Sequence, residues 1–139
     1  MPALIEATGD TEYRRTDNLF DAEQNSDDMA AVSSQLDLLA RGFVKIAKDF
    51  RLMGSGPETG YGEIRLPAVQ PGFSIMPGKI NPVIPEFLIQ ICFQVTGNCI
   101  TSKQAIEHGE LDLNIWESSI VFNILESISL LSKGVRAFE

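Results

Sequence analysis

A chain of 139 residues, 44% of them apolar, carries one domain's worth of core. Its net charge of −8 leaves no basic stripe to displace phosphate counterions, which excludes nucleic acid as a partner. No apolar run approaches the roughly 18 residues of a membrane span, and with Pro2, Glu6 and Asp10 near the start no secretory signal is expected there.

Residues 1–24 are polar and punctuated by Thr8-Gly9-Asp10-Thr11, Arg14-Arg15 and Asp17-Asn18, and they read as an irregular lead-in with a short turn at Leu19-Phe20. A helix is expected over 26–52. Asn25 or Ser26 can cap it, and Asp27 and Asp28 fall in the first turn, where the helix dipole favours carboxylates. Met29, Val32, Leu36, Leu39, Phe43, Ile46, Phe50 and Met53 recur at alternating spacings of three and four, the heptad seam of a helix bundle.

From 54 to 82 the periodicity collapses into Gly54-Ser55-Gly56-Pro57, Gly60-Tyr61-Gly62, Leu66-Pro67, Gln70-Pro71-Gly72 and Met76-Pro77-Gly78. So many residues with special backbone preferences exclude a long helix or a central strand. A connection this long inside a compact domain is more often functional than filler.

A second long helix is expected over 83–98, with Ile84, Phe87 or Leu88, Ile91 and Val95 on one face. Glu86, Gln90, Gln94 and Asn98 mark the other, Pro85 suits the first turn, and Gly97-Asn98 is the expected kink or end. Cys92 and Cys99 on such a helix lie about 10 Å apart, too far for a disulfide, and read as buried thiols of a reducing cytoplasm. A third helix over 111–138 places Leu113, Trp116, Ile120, Ile124, Ile128, Leu131 and Val135 at helical spacing. Trp116 and the phenylalanines read as core. Glu107, Glu110 and Asp112 read as a solvated acidic turn, and His108 as an exposed helix-end residue. With one histidine and no paired Cys or His motif, no metal and no cofactor are expected.

The fold class is therefore all-α, a bundle of long helices interrupted by a Gly/Pro-rich loop. Residues 25–139 form the bundle region. The helices at 26–52 and 111–138 carry more apolar surface than three helices bury, so self-association is expected.

The loop Gly72-Phe73-Ser74-Ile75-Met76-Pro77-Gly78-Lys79-Ile80-Asn81-Pro82 resembles the third signature of the aspartase/fumarase superfamily, Gly-Ser-Ser-x-Met-Pro-x-Lys-x-Asn-Pro, at every position but Phe73. The upstream Gly54-Ser55-Gly56-Pro57 and Gly62-Glu63-Ile64-Arg65-Leu66-Pro67 resemble the family's approach to that loop, and the likeness runs from about Asp17 to Glu126. Asn81-Pro82-Val83-Ile84-Pro85-Glu86 looks like aspartate ammonia-lyases, whereas fumarases tend to carry Thr-Gln-Cys-Glu after the Asn-Pro.

The resemblance implies a fragment of a long-helix bundle from homotetrameric enzymes that eliminate ammonia or water from a dicarboxylate to give fumarate. In those enzymes a serine oxyanion takes a proton from C3, and preorganised donors hold the charge that develops. By this resemblance Lys79 falls on the lysine that supports the oxyanion and binds substrate carboxylate, and Asn81 on the amide that orients substrate. Glu86 falls on a carboxylate that partners a histidine in fumarases, Ser74 on the second serine, and Phe73 on the catalytic base. Phenylalanine has no proton-accepting atom. Adjacent side chains on an extended loop tend to point in different directions, so Ser74 is not expected to replace it.

The family's chains are far longer, and nothing in residues 1–24 resembles their N-terminal substrate-binding signatures. The resemblance thus implies a truncated aspartate ammonia-lyase-like chain, inactive alone, whose partners are a small dicarboxylate (aspartate or fumarate), copies of itself or a complementing N-terminal lyase chain. The alternatives are a non-catalytic oligomerisation or interaction module on the same scaffold, and a fumarase-like or other dicarboxylate lyase fragment.

Overall fold

The computed structural model describes residues 2–139 except Pro57, Phe73, Ser74 and Pro77. Among the described residues the fold is all-α, as expected. Its helices in chain order are α1 (Pro2–Thr8), α2 (Leu19–Gln24), α3 (Asp27–Met53), α4 (Val83–Glu107) and α5 (Glu117–Phe138).

The three long helices run up, down and up, with α4 in the middle. Along α3 and α4 the cross-links run in opposite senses. Ser33 Oγ donates to the Cys99 carbonyl at 3.4 Å, Thr96 Oγ1 to Asp37 Oδ1 at 3.0 Å, and Arg51 pairs with Glu86 at 3.2 Å. The α4–α5 pair repeats this: Ser102 Oγ donates to the Ile120 carbonyl at 3.4 Å and Asn98 Nδ2 to Glu126 Oε2 at 2.8 Å. Helices α3 and α5 touch less, with the Phe50 and Phe138 rings meeting edge to face at 5.1 Å.

Asn25 Oδ1 accepts the Asp27 N–H at 3.0 Å at the start of α3. Asp27 and Asp28 occupy its first turn and Arg51 its last, each where the helix dipole favours its charge. The face α3 turns to α4 is not the expected large-residue seam. Ser33, Ala40 and Ala47, seven apart, are fully buried, with Leu36, Phe43 and Val44 partly buried beside them. Val32, Leu39 and Ile46 of the expected seam are exposed. Small side chains let two helix backbones approach, and α4 fills the space with Leu88, Cys92, Val95 and Cys99. The same device recurs on α5, where Ser127 and Gly134 are buried seven apart. A Cβ on Gly134 would sit 3.0 Å from the terminal carbons of both Leu88 and Ile91.

Four further expectations are revised. Helix α4 continues through Gly97-Asn98 to Glu107. Asn98 is buried rather than on a polar face; its carbonyl oxygen accepts from Gln94 and its amide donates to Glu126, so nothing there forces a break. Helix α5 begins at Glu117 and not near 111, because residues 109–116 form a turn. In it Glu110 and Leu113 exchange backbone hydrogen bonds, Leu111 takes a left-handed φ of 57°, and buried Asn114 donates to the Ala105 and Ile106 carbonyls. Trp116 is 46% exposed, with its indole N–H on the His108 carbonyl at 2.9 Å, and Phe87, Phe93 and Phe122 are exposed too. They are not core. Residues 2–24 hold two short helices, and the Asn114 N–H to the Glu23 carbonyl (3.2 Å) ties α2 to the turn.

His108 is exposed at the C-terminal cap of α4. Cys92 and Cys99 are buried and unbridged, and burial pushes the Cys92 thiol up to about 11. By length and composition alone α4 is long and apolar enough to cross a membrane, but its buried residues are those packed between α3 and α5.

Candidate functional site

The stretch 54–82 runs between the end of α3 and the start of α4, and at Gly60 and Gly72 backbone meets backbone. Gly54 ends α3 by donating its N–H to the Phe50 carbonyl at 2.9 Å. Ser55 then ties the first turn. Its carbonyl accepts the Gly62 N–H at 2.6 Å, and its hydroxyl takes the Tyr61 N–H at 3.3 Å. A Cβ on Gly60 would lie 2.3 Å from the Ser55 carbonyl carbon, so no side chain fits. Gly72 is the neck of the signature loop, since a Cβ there would fall 1.8 Å from the Lys79 carbonyl oxygen. Beyond the neck, Asn81 O accepts the Val83 N–H at 2.9 Å and Pro82 O the Glu86 N–H at 3.2 Å, and α4 begins. Pro85 in that first turn is buried without a lost hydrogen bond.

This arrangement brings Lys79 and Asn81 to one open cavity of about 590 Å³, whose other walls include Lys48 and Arg51 of α3 and Ser55. A cavity of about 610 Å³ shares the Gly54, Ile80, Asn81 and Pro82 wall and is bounded on its far side by Arg65 and Leu66. Glu86 does not line either. It stands in the first turn of α4 and is held by Arg51 across the α3–α4 junction. Phe73 and Ser74, the two positions expected to bear on proton transfer, lie outside the described residues.

Lys48, Arg51 and Ser55 were not singled out from the sequence. A signal was there: Lys48 and Arg51 are three apart in the last turns of α3, immediately before Gly54, so both project from the end of the helix that meets the loop. Chemically the cavity offers cations and an amide, groups that hold a carboxylate or another oxyanion, while the Ser55 hydroxyl is spent on the Leu52 carbonyl.

A family model described as a lyase matches residues 4–97. The aspartate ammonia-lyase of Bacillus subtilis is 52% identical over 122 residues, 88% of this chain and 26% of the relative. The chain belongs to the aspartase/fumarase superfamily. A class II fumarate hydratase of Corynebacterium efficiens is 44% identical over 135 residues, 97% of this chain and 28% of the relative. Among solved structures, a fumarate lyase:delta crystallin of Brucella melitensis superposes with a TM-score of 0.84 at 50% identity, covering 94% of this chain and 30% of that one. The chain thus spans between a quarter and a third of the length of these superfamily relatives. Within the superfamily, aspartate ammonia-lyases and class II fumarases both match it over most of its length.

Proposed function

We propose that this chain is the central helical region, residues 25–139, of an aspartate ammonia-lyase-like scaffold, preceded by a lead-in at 1–24, and that its signature loop binds a small dicarboxylate such as aspartate or fumarate. The observation that carries this reading is the meeting of Lys79 and Asn81 in one cavity with Lys48 and Arg51. Lys79 supplies charge-assisted hydrogen bonds to a carboxylate, Asn81 orients it, and Glu86, fixed by Arg51, stands beside them at the start of α4. Asn81-Pro82-Val83-Ile84-Pro85-Glu86 favours an ammonia-lyase over a fumarase ancestry.

Proton abstraction is a separate matter. With Phe73 in the base position no oxygen is available there to take the C3 proton, and the chain by itself turns over neither aspartate nor fumarate. The protein acts as a soluble cytoplasmic oligomer. Helix α4 serves as a core helix, because its apolar seam is already taken by α3 and α5. The exposed apolar faces of α3 and α5 favour a second reading, a non-catalytic oligomerisation module on the same scaffold.

Ultraviolet absorbance of fumarate formed from aspartate separates the two. The wild-type chain is expected to be silent, and Phe73→Ser with an N-terminal lyase piece added in trans is expected to recover turnover. Turnover by the wild-type chain alone contradicts the role given to Phe73. Failure of the serine variant either to turn over or to bind fumarate leaves the module.

A further inference from the structure

The cavity behind the signature loop holds more positive charge than the signature motif accounts for. Lys48 and Arg51 enter it from the last turns of α3, and Lys79 enters from the loop. Arg51 is neutralised by Glu86 at 3.2 Å. Among the described residues neither Lys48 nor Lys79 makes an ion pair, although the chain as a whole carries a net charge of −8. Two lysines without an ion pair among the described residues therefore line one open cavity, with Asn81 as a neutral polar residue in the same lining. An anion with one charge for each lysine can pair with both. Both lysines have long flexible stems and can close on a ligand from opposite elements.

We infer that Lys48 is a specificity-determining residue. It reads the second negative charge of a ligand whose first carboxylate is held by Lys79 and Asn81, so the cavity selects short dicarboxylate dianions over monocarboxylates of the same length. The inference rests on the assignment of Lys79 and Asn81 as ligand-binding groups, and it adds a selecting residue on α3 that lies outside the signature loop.

Titration of the full 139-residue chain with succinate and with butyrate, followed by amide NMR shifts of Lys79 and Asn81, tests it. The two probes share a four-carbon chain and differ by one charge. The wild-type chain is expected to prefer succinate. Lys48→Gln is expected to weaken succinate by about threefold, in the range of one exposed charge pair, and to leave butyrate unchanged. Lys48→Arg is expected to restore the preference, and Lys79→Gln to weaken both probes. An unchanged succinate-to-butyrate ratio in Lys48→Gln, with Lys79→Gln still weakening both, overturns the role of Lys48 and leaves the loop assignment standing. Indifference of both probes to Lys79→Gln, or no binding of either probe to the wild type, overturns both.

Discussion

Asp37 is held from two sides, by Arg41 on its own helix and by Thr96 of α4. Burial raises its pKa, but hydrogen bonds from Arg41 and Thr96, with the charges of Arg41 and Lys103, outweigh it and hold the carboxyl below its usual 3.8. A folded-state value below the unfolded one contributes stability that is complete above about pH 4 and is lost as pH falls through the folded value. Asp37→Asn is therefore expected to be less stable than the wild type by about 1 kcal/mol at neutral pH. The gap should close in urea titrations run below pH 4, and a gap constant with pH would contradict the assignment. Gly134 is the opposite kind of residue, defined by what it lacks. With Leu88 and Ile91 against its Cα face, Gly134→Leu should cost about 1–3 kcal/mol by overpacking, read as a lower denaturant midpoint at unchanged helicity. Neither role is legible in the sequence. An aspartate and a glycine within helical patterns acquire these roles only when Thr96 and Leu88 are brought across from α4.

At the scale of the helices, periodicity located three long elements and composition located the loop, while the ends went to local hydrogen bonding. The turn between α4 and α5 depends on Asn114, which is 3% exposed. It donates to the Ala105 and Ile106 carbonyls at 3.1 and 3.3 Å and accepts the Trp116 N–H at 2.9 Å. Asn114→Ala removes three hydrogen bonds at once and leaves the last carbonyls of α4 without partners. We expect a loss of about 2 kcal/mol and faster amide exchange confined at first to residues 105–116. Uniform acceleration across all three helices would show that the turn is not an independent joint. The third helix was expected some six residues early because Leu111 and Leu113 continue an apolar period that the Glu110–Leu113 turn then interrupts. Apolar spacing cannot register such a break, whereas Gly109 and Asn114, both turn formers, bracket it.

As a whole, the chain exposes 10147 Å². A compact monomer of its mass exposes roughly 7,100 Å², so about 3,000 Å² is in excess. Part of this belongs to the irregular stretches around 9–18 and 54–82, and part to apolar helix faces. Val32, Leu39 and Ile46 line α3, and Phe122, Leu125 and Ile128 line α5. A stable interface buries about 1,200–2,000 Å² in total, which these faces can supply. Sedimentation equilibrium is expected to give a multiple of 15.3 kDa. The double substitution Leu39→Glu and Ile46→Glu, at half-exposed positions on α3, should yield a monomer with the same helix content. A wild-type monomer at micromolar concentration would sink this expectation.

The sequence alone determined the class of structure and the family. Helical periods, a run of Gly and Pro and an ordered motif are local properties, written in neighbouring residues and readable without a fold. Lys79, Asn81 and Glu86 stand where the loop meets the start of α4. The tertiary structure decided which face of each helix is inside. The expected seam of large residues on α3 turns partly outward, and the buried line is Ser33, Ala40 and Ala47. Hydrophobicity ranks side chains by what they gain on leaving water, whereas the contact between α3 and α4 is set by how closely two backbones approach, which favours the smallest side chains. For the same reason Lys48 and Arg51 joined the loop cavity only when the end of α3 was packed against the start of α4.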